Sequence, residues 1–479
     1  MNAQQIQLKQ AAKIAVIAML LLLLGAFRFY KERMLFIDAA HICFRLLNYK
    51  TFVIEEHRYG SFITQLVPLI GQKLHLSLKA ILIAYSASFN LFYLAIVCLL
   101  LFRYKQYSLA VLMALYYVLF VSDAYYWTNN EVHQGTAWMF LFFAVAFRNA
   151  EKQPAVLLQV LSFIILAALA IFTHPLVMIS IIFLWGYFFI NKEQWPYSRS
   201  SSVLFSALLV MIVLLKYFVS RVSHGYDSGK IDLATQLNPT GIWHALKAPM
   251  TKTFFHDCIY NYWLILLIFL TGIVILIKER KWPLLLWTLL FTIGFYTLMA
   301  LTYGNSLYDR HTLFYMESEW MSFSLILAAP FVFNFLPCLQ ARNAAWLLAF
   351  IFIVRFTYIL EAAPVFTARI AFIERGLQQM RKKGLTKLVL IKENNSLDDK
   401  LLMAWGLPDE SLMASVMDGD RPARTFTEMP PEQLAKGVPK DHKTMIASFQ
   451  LVNEKLNRKY FPIDTTGAYQ IMTWETFNK

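Results

Sequence analysis

Ser122 to Gly135 reads SDAYYWTNNEVHQG, and it separates the apolar run LAVLMALYYVLFV (109–121) from a second one, TAWMFLFFAVAF (136–147). If both runs are membrane helices, the polar stretch is a connection at one membrane face. Asp123, Glu131 and His133 then gather at that face, and the register of every other apolar run follows.

Composition points the same way. Apolar residues make up 58% of the chain, aromatics 16% and charged residues only 15%, the profile of a multi-span membrane protein. Crossing roughly 30 Å of hydrocarbon takes about 20 residues. The expected spans are 12–29, 80–102, 108–122, 135–147, 154–172, 175–191, 203–219, 260–277, 283–302, 313–336 and 344–360. The first leads into RFYKERM and not into a small-residue cleavage site, so it reads as an anchor.

Basic residues orient the chain. With a cytoplasmic N-terminus, the inner segments carry Lys9 and Lys13, Arg103 and Lys105, Arg148 and Lys152, Lys192 and Arg199, KERK (278–281) and Arg342. The short outer connections hold a single basic residue, Arg310. The 122–135 stretch therefore faces outward, together with two longer segments, 30–79 and 220–259, and the tail from 361 to 479. That tail has 17 basic and 15 acidic residues, which leaves 27 and 15 in the 1–360 membrane part. The net charge of +14 thus belongs mostly to the membrane part, where basic inner loops suit anionic lipid and not nucleic acid.

In the tail, KLVLIKE (387–393) and YQIMTW (469–474) read as strands and PDESLMASVM (408–417) as a short helix. The fold expected is an α-helical polytopic membrane protein of about eleven transmembrane helices with a small C-terminal α/β extracytoplasmic domain. Four cysteines show no CxxC or zinc spacing, and Cys43 and Cys258 read as isolated thiols rather than a disulfide. There is no phosphate-binding glycine loop, HExxH, GxSxG or internal repeat.

What remains is polar chemistry on the outer face. FIDAAHICFRLLN places Asp38, His41 and Arg45 at i, i+3 and i+7, one stripe of an otherwise apolar helix that is expected to lie in the interface. Then come Glu55 to Arg58 and the stretch YGSFITQLVP, whose apolar continuation is too short and interrupted to span. A long first outer loop with an early Asp, that YGxFxxxxxP stretch, and alternating spans ending in an outer soluble domain resemble the polytopic glycosyltransferases of the C superfamily. The resemblance covers the span layout and the first 135 residues best. It implies transfer of a sugar from a polyprenyl-phosphate donor to an acceptor outside the cytoplasm, while an outer face with a compact soluble domain suggests a bacterial inner membrane. Asp38 matches the first-loop acid that acts as base on the acceptor hydroxyl. Glu131, with Asp123 and His133, matches the second outer loop, where several members bind a divalent metal or the acceptor. Asp38 is not followed by a second acid, and NEVH stands where many members have adjacent acids, which leaves metal use open.

The chemistry stands without the family. A hydroxyl attacking an anomeric carbon needs a positioned carboxylate, a contribution of about 10² to 10⁴ in rate. The departing lipid phosphate needs cations or charged donors, for which Arg310 and His311 in YDRHTLFY, Arg58 and His174 are candidates. Plainer readings compete. Asp123 and Glu131 could be a solvated loop, His174-Pro175 a tight turn capped by Thr173, and Glu319 a buried group bonded to tyrosines. Glu317, like Glu319, lies inside an apolar run. An outer-face glycan polymerase or ligase would use Arg221, His224 and His244 of the 220–259 segment. A transporter or flippase would show repeated halves and midplane charges, which the sequence lacks.

Overall fold

The computed structural model describes residues 3–147, 156–192, 195–222, 225–234, 238–304, 313–392, 401–452 and 456–479. Each of the eleven apolar runs contains a helix, and among the described residues seven helices are long and apolar enough to cross a membrane. They are α1 (Ala3–Arg28), α5 (Leu78–Cys98), α8 (Val156–Thr173), α10 (Arg199–Val222), α15 (Trp282–Tyr303), α16 (Leu313–Pro330) and α17 (Ala341–Lys382). A pair bent by 85°, α13 (Pro249–Tyr260) and α14 (Trp263–Lys278), makes an eighth if it counts as one span. The runs at 108–122, 135–147 and 175–191 instead form the shorter α6 (Tyr107–Leu119), α7 (Glu131–Ala146) and α9 (Leu176–Ile190). Large apolar side chains such as Leu157, Leu286, Ile293 and Ile353 point outward from the long helices. On a protein dissolved in water such a belt would be an aggregation surface; facing lipid it is the expected one.

The break between α6 and α7 is fixed by side chains on both sides of it. The Asn130 side chain accepts the Val132 N–H at 2.9 Å and so caps α7 at its first turn. Ahead of it, the 122–130 connection folds into the bundle rather than extending the helices, and Asp123 is only 1% exposed. The expectation of a solvated loop is therefore wrong. Glu317 on α16 explains how the polar backbone is buried there: its carboxylate accepts the N–H of Ser122 (2.8 Å), the N–H of Ala124 (2.6 Å), the Tyr262 hydroxyl (2.5 Å) and the Ser122 hydroxyl. From α17, Arg355 donates to the carbonyls of Val118, Val121 and Asn261, at the end of α6 and at the bend before α14.

Between α1 and α5 lie α2 (Tyr30–Met34), α3 (Ile37–Tyr49) and α4 (Phe62–Lys73). The helix expected at Asp38 is α3, and nine of its thirteen residues are buried by protein. α17 runs on well past the expected boundary at 361, to Lys382, and leads into a parallel sheet of order β2–β1–β5. Its strands are β1 (Lys387–Ile391), β2 (Thr425–Met429) and β5 (Gln470–Met472), with α18 (Leu407–Val416) between the first two; β3 (Met445–Ala447) and β4 (Gln450–Val452) form a separate hairpin. The strands and helix expected in the tail coincide with β1, β5 and α18.

α18 holds this part against α3. No side chain of its own N-cap residue, Phe36, caps α3, and Glu410 of α18 supplies the acceptor instead, taking the Ile37 N–H at 2.7 Å. The same carboxylate pairs with Arg369 of α17 at 2.7 Å, and the adjoining Asp409 meets His41 Nδ1 at 2.8 Å. Glu410→Ala would leave a buried guanidinium and an orphaned helix N–H, so a loss of about 3–5 kcal/mol is expected. Thermal melting of the purified variant in detergent checks this, and a melting temperature equal to wild type would refute the docking role. All four cysteines are free, as the sequence reading has it for Cys43 and Cys258.

Candidate functional site

The polar residues of 30–79 and of the 122–131 connection meet at the end of the bundle where α7 begins. Asp38, in the first turn of α3, is half-buried, and its Oδ2 accepts the Trp127 indole N–H at 2.7 Å. Burial, then repulsion from Glu131, pushes its carboxyl up to about 6, against the pull of the Trp127 N–H and of His41. Asp38 can thus exchange a proton near neutral pH, which an ordinary surface aspartate does not.

Arg58 closes the other side. It donates to Glu131 at 3.0 Å and to Asp227 at 2.8 Å, so one guanidinium ties the start of α7 to α11 (Tyr226–Ala234). Glu56 receives the backbone N–H groups of Tyr226 (2.9 Å) and Asp227 (3.4 Å), which fixes the first turn of α11. Lys216, fully buried on α10, lies 3.8 Å from Asp227 and donates to the Glu56 carbonyl at 3.2 Å. Burial, with the Arg58 and Lys216 cations nearby, keeps the His174 imidazole neutral, well below the usual histidine range. Two carboxylates and two cations, Glu131, Asp227, Arg58 and Lys216, therefore form one linked network beside Asp38.

Aromatic rings flank the Asp38–His41 stripe. Trp127 meets Tyr315 at 4.8 Å and Phe314 at 5.0 Å on one side, and Trp405 packs on the exposed Phe449 at 4.5 Å, both edge-on to His41, on the other. Arg45, the third residue of the stripe, pairs with Glu55.

The expected site residues divide accordingly. Asp38, Glu131, Arg58 and His174 share one neighbourhood, although His174 also accepts the Leu176 N–H at 3.2 Å and so begins α9, the role expected of Thr173. Thr173 bonds back to the Leu169 carbonyl at 2.5 Å instead. Asp123 lies apart, buried close to Glu317. His133 lies apart too, two residues along α7 from Glu131, against Tyr116 and Tyr117 and beside Arg33. Glu319 stands near Tyr226, Lys230 and Tyr303, close to the structural reading weighed for it. Arg310 and His311 fall outside the described residues. Of the 220–259 residues, Arg221 pairs with Asp232 at 3.4 Å, His244 is exposed on α12 (Pro239–Lys247), and His224 is not described.

The sequence reading missed Asp227 and Lys216. A lysine inside the apolar run LLVMIVLLKYFV was a legible signal, since an intramembrane cation needs a partner. Among the described residues, no group of three or more His, Cys, Asp or Glu is placed to hold a metal ion. Comparison with protein-family models, with curated proteins and with solved structures finds no match. The fold and site define a helical protein with helices long and apolar enough to cross a membrane and a partly buried cluster of polar and aromatic side chains at one end of its bundle.

Proposed function

We propose that the chain is a membrane glycosyltransferase that takes a sugar from a polyprenyl-phosphate donor and passes it to an acceptor outside the cytoplasm. The observation that carries this reading is Asp38: a half-buried carboxylate near its own titration point, hydrogen-bonded to a tryptophan and lined on both sides by aromatic rings. Pockets for organic ligands are largely apolar, with a few polar groups that fix orientation. Sugar C–H faces pack on such rings while their hydroxyls reach a carboxylate.

In this reading Asp38 takes the proton from the acceptor hydroxyl as it attacks the anomeric carbon, and the sugar–phosphate bond breaks with the electron pair leaving on the phosphate oxygen. Arg58 is held between Glu131 and Asp227, and its Nε–H, which has no partner, is the donor left for that leaving group. The docked C-terminal part, through Trp405 and Phe449, narrows the acceptor side. The N-terminus lies in the cytoplasm and the Asp38 site on the opposite face of a bacterial inner membrane.

The test uses the protein in nanodiscs and a radiolabelled polyprenyl-phosphate sugar, with a phosphate-free polyprenol as control. Saturable binding of the phosphate lipid alone is expected, weakened roughly tenfold by Trp127→Ala, which removes a ring contact and a charge-assisted hydrogen bond. Equal uptake of both lipids, or unchanged binding by the variant, would rule the reading out.

A further inference from the structure

We propose that the chain binds a single monatomic anion, chloride or a like halide, in the small cavity between Arg33, Tyr93 and His133. The cavity lies in the bundle below the 122–130 connection, and its volume of about 20 Å³ suits one particle the size of a water molecule. A phosphate, sulfate or carboxylate does not fit.

Three observations meet there. The first is an unneutralised cation. Arg33, 2% exposed, donates to Ser86 Oγ (3.0 Å), the Tyr125 carbonyl (2.5 Å) and Asn90 Oδ1 (2.7 Å), with a longer contact to the Ser86 carbonyl (3.4 Å), and stacks over the Tyr125 ring at 4.3 Å. Those groups take four of its five N–H donors, leaving one at the terminal nitrogen bonded to Tyr125, and none carries a charge. Among the described residues no carboxylate pairs with it, nor does any line the cavity. Arg369 is clasped by Glu410 and the partly buried Arg58 by Glu131 and Asp227; Arg355 bonds only carbonyls directly, but lies over Tyr262, whose hydroxyl donates to Glu317. Burying a lone guanidinium costs several kcal/mol unless a counter-charge is supplied.

The second and third observations are unpaired polar atoms on the same cavity. The Tyr93 hydroxyl, on a residue 3% exposed, and His133 Nδ1, on a residue 6% exposed, have no hydrogen-bond partner. Both can donate, Tyr93 through its O–H and His133 through the Nδ1–H tautomer. Buried polar atoms in folded proteins are nearly always bonded. One anion that accepts from Arg33, Tyr93 and His133 satisfies both and neutralises the cation at once. A water molecule could bond to the same atoms but would leave the charge uncompensated. This inference is independent of the glycosyl-transfer reading, since neither Asp38 nor Arg58 lines the cavity.

The experiment is thermal melting of the whole purified protein in detergent. Sodium gluconate is exchanged stepwise for sodium chloride, and in a second series for sodium bromide, at constant ionic strength. The expected result is a saturable rise in melting temperature with either halide, with gluconate inert. Tyr93→Phe keeps the ring and its stacking on Tyr117 at 4.3 Å but loses the donor, so it should move the halide midpoint up by about tenfold. Arg33→Gln should abolish the response; should that variant fail to fold, Tyr93→Phe decides alone. Equal stabilisation by gluconate, a wild-type protein indifferent to halide, or an unmoved midpoint in Tyr93→Phe would each overturn the assignment.

Discussion

Asp38→Asn is expected to lower the rate of sugar transfer by about 10²- to 10⁴-fold while the protein stays folded, because the amide keeps the Trp127 hydrogen bond but cannot take a proton. The pH dependence carries a second signature. A base whose carboxyl is pushed up to about 6 is protonated below that value, so wild-type turnover should rise as pH increases through about 6 and then level off. Stability runs the other way. The folded protein favours neutral Asp38 more than the unfolded chain does, so this contribution is fully present below the ordinary carboxylate range near 4 and is lost as pH rises through about 6. Asp38→Asn should therefore melt at or above the wild-type temperature at pH 8, by an amount on the order of 1–2 kcal/mol, with the advantage gone by pH 4. Measuring turnover and melting together separates the two roles. A variant that loses activity because it unfolds, or that keeps wild-type activity, would remove Asp38 from the chemistry.

The second large effect is structural. Glu317→Ala should cost at least about 3 kcal/mol, since the 122–124 backbone would lose both of its carboxylate acceptors in a place water does not reach. Glu317 is itself wholly buried, and Tyr262, Ser122 and Arg355 depend on it directly or through one another. The loss should appear as a lower melting temperature at every pH, and a drop in activity should follow it. If Glu317→Ala melted like wild type, the account of how the 122–130 connection is buried would fail. Glu317 and Asp38 are thus opposites: one carboxylate is spent on backbone groups, the other is left able to react.

How far the sequence alone reveals this follows from the range of the forces involved. Helices in all eleven apolar runs were legible, because hydropathy acts locally and each run announces itself. So was the amphipathic helix at Asp38, where the spacing of Asp38, His41 and Arg45 defines a stripe. Helix lengths were not, since α6 stops where Glu317, almost 200 residues later, captures the following N–H groups. The same holds for the burial of α3, because Asp409 and Glu410 reach it from the far end of the chain. At the site, Asp38, Glu131 and Arg58 carried a sequence signal, whereas Asp227 enters through its pairing with Arg58 and Lys216. His133 shows the converse: adjacency to Glu131 in sequence suggested one site, but two residues along a helix turn the side chain to another face, onto Arg33.

The most direct measurement is an electron cryomicroscopy structure of the protein in lipid with a polyprenyl-phosphate sugar added. The account predicts the sugar between Trp127 and Trp405, with a hydroxyl at Asp38 and the phosphate toward Arg58. A lipid headgroup bound away from Asp38, or a sugar seated along a path through the middle of the bundle, would contradict it.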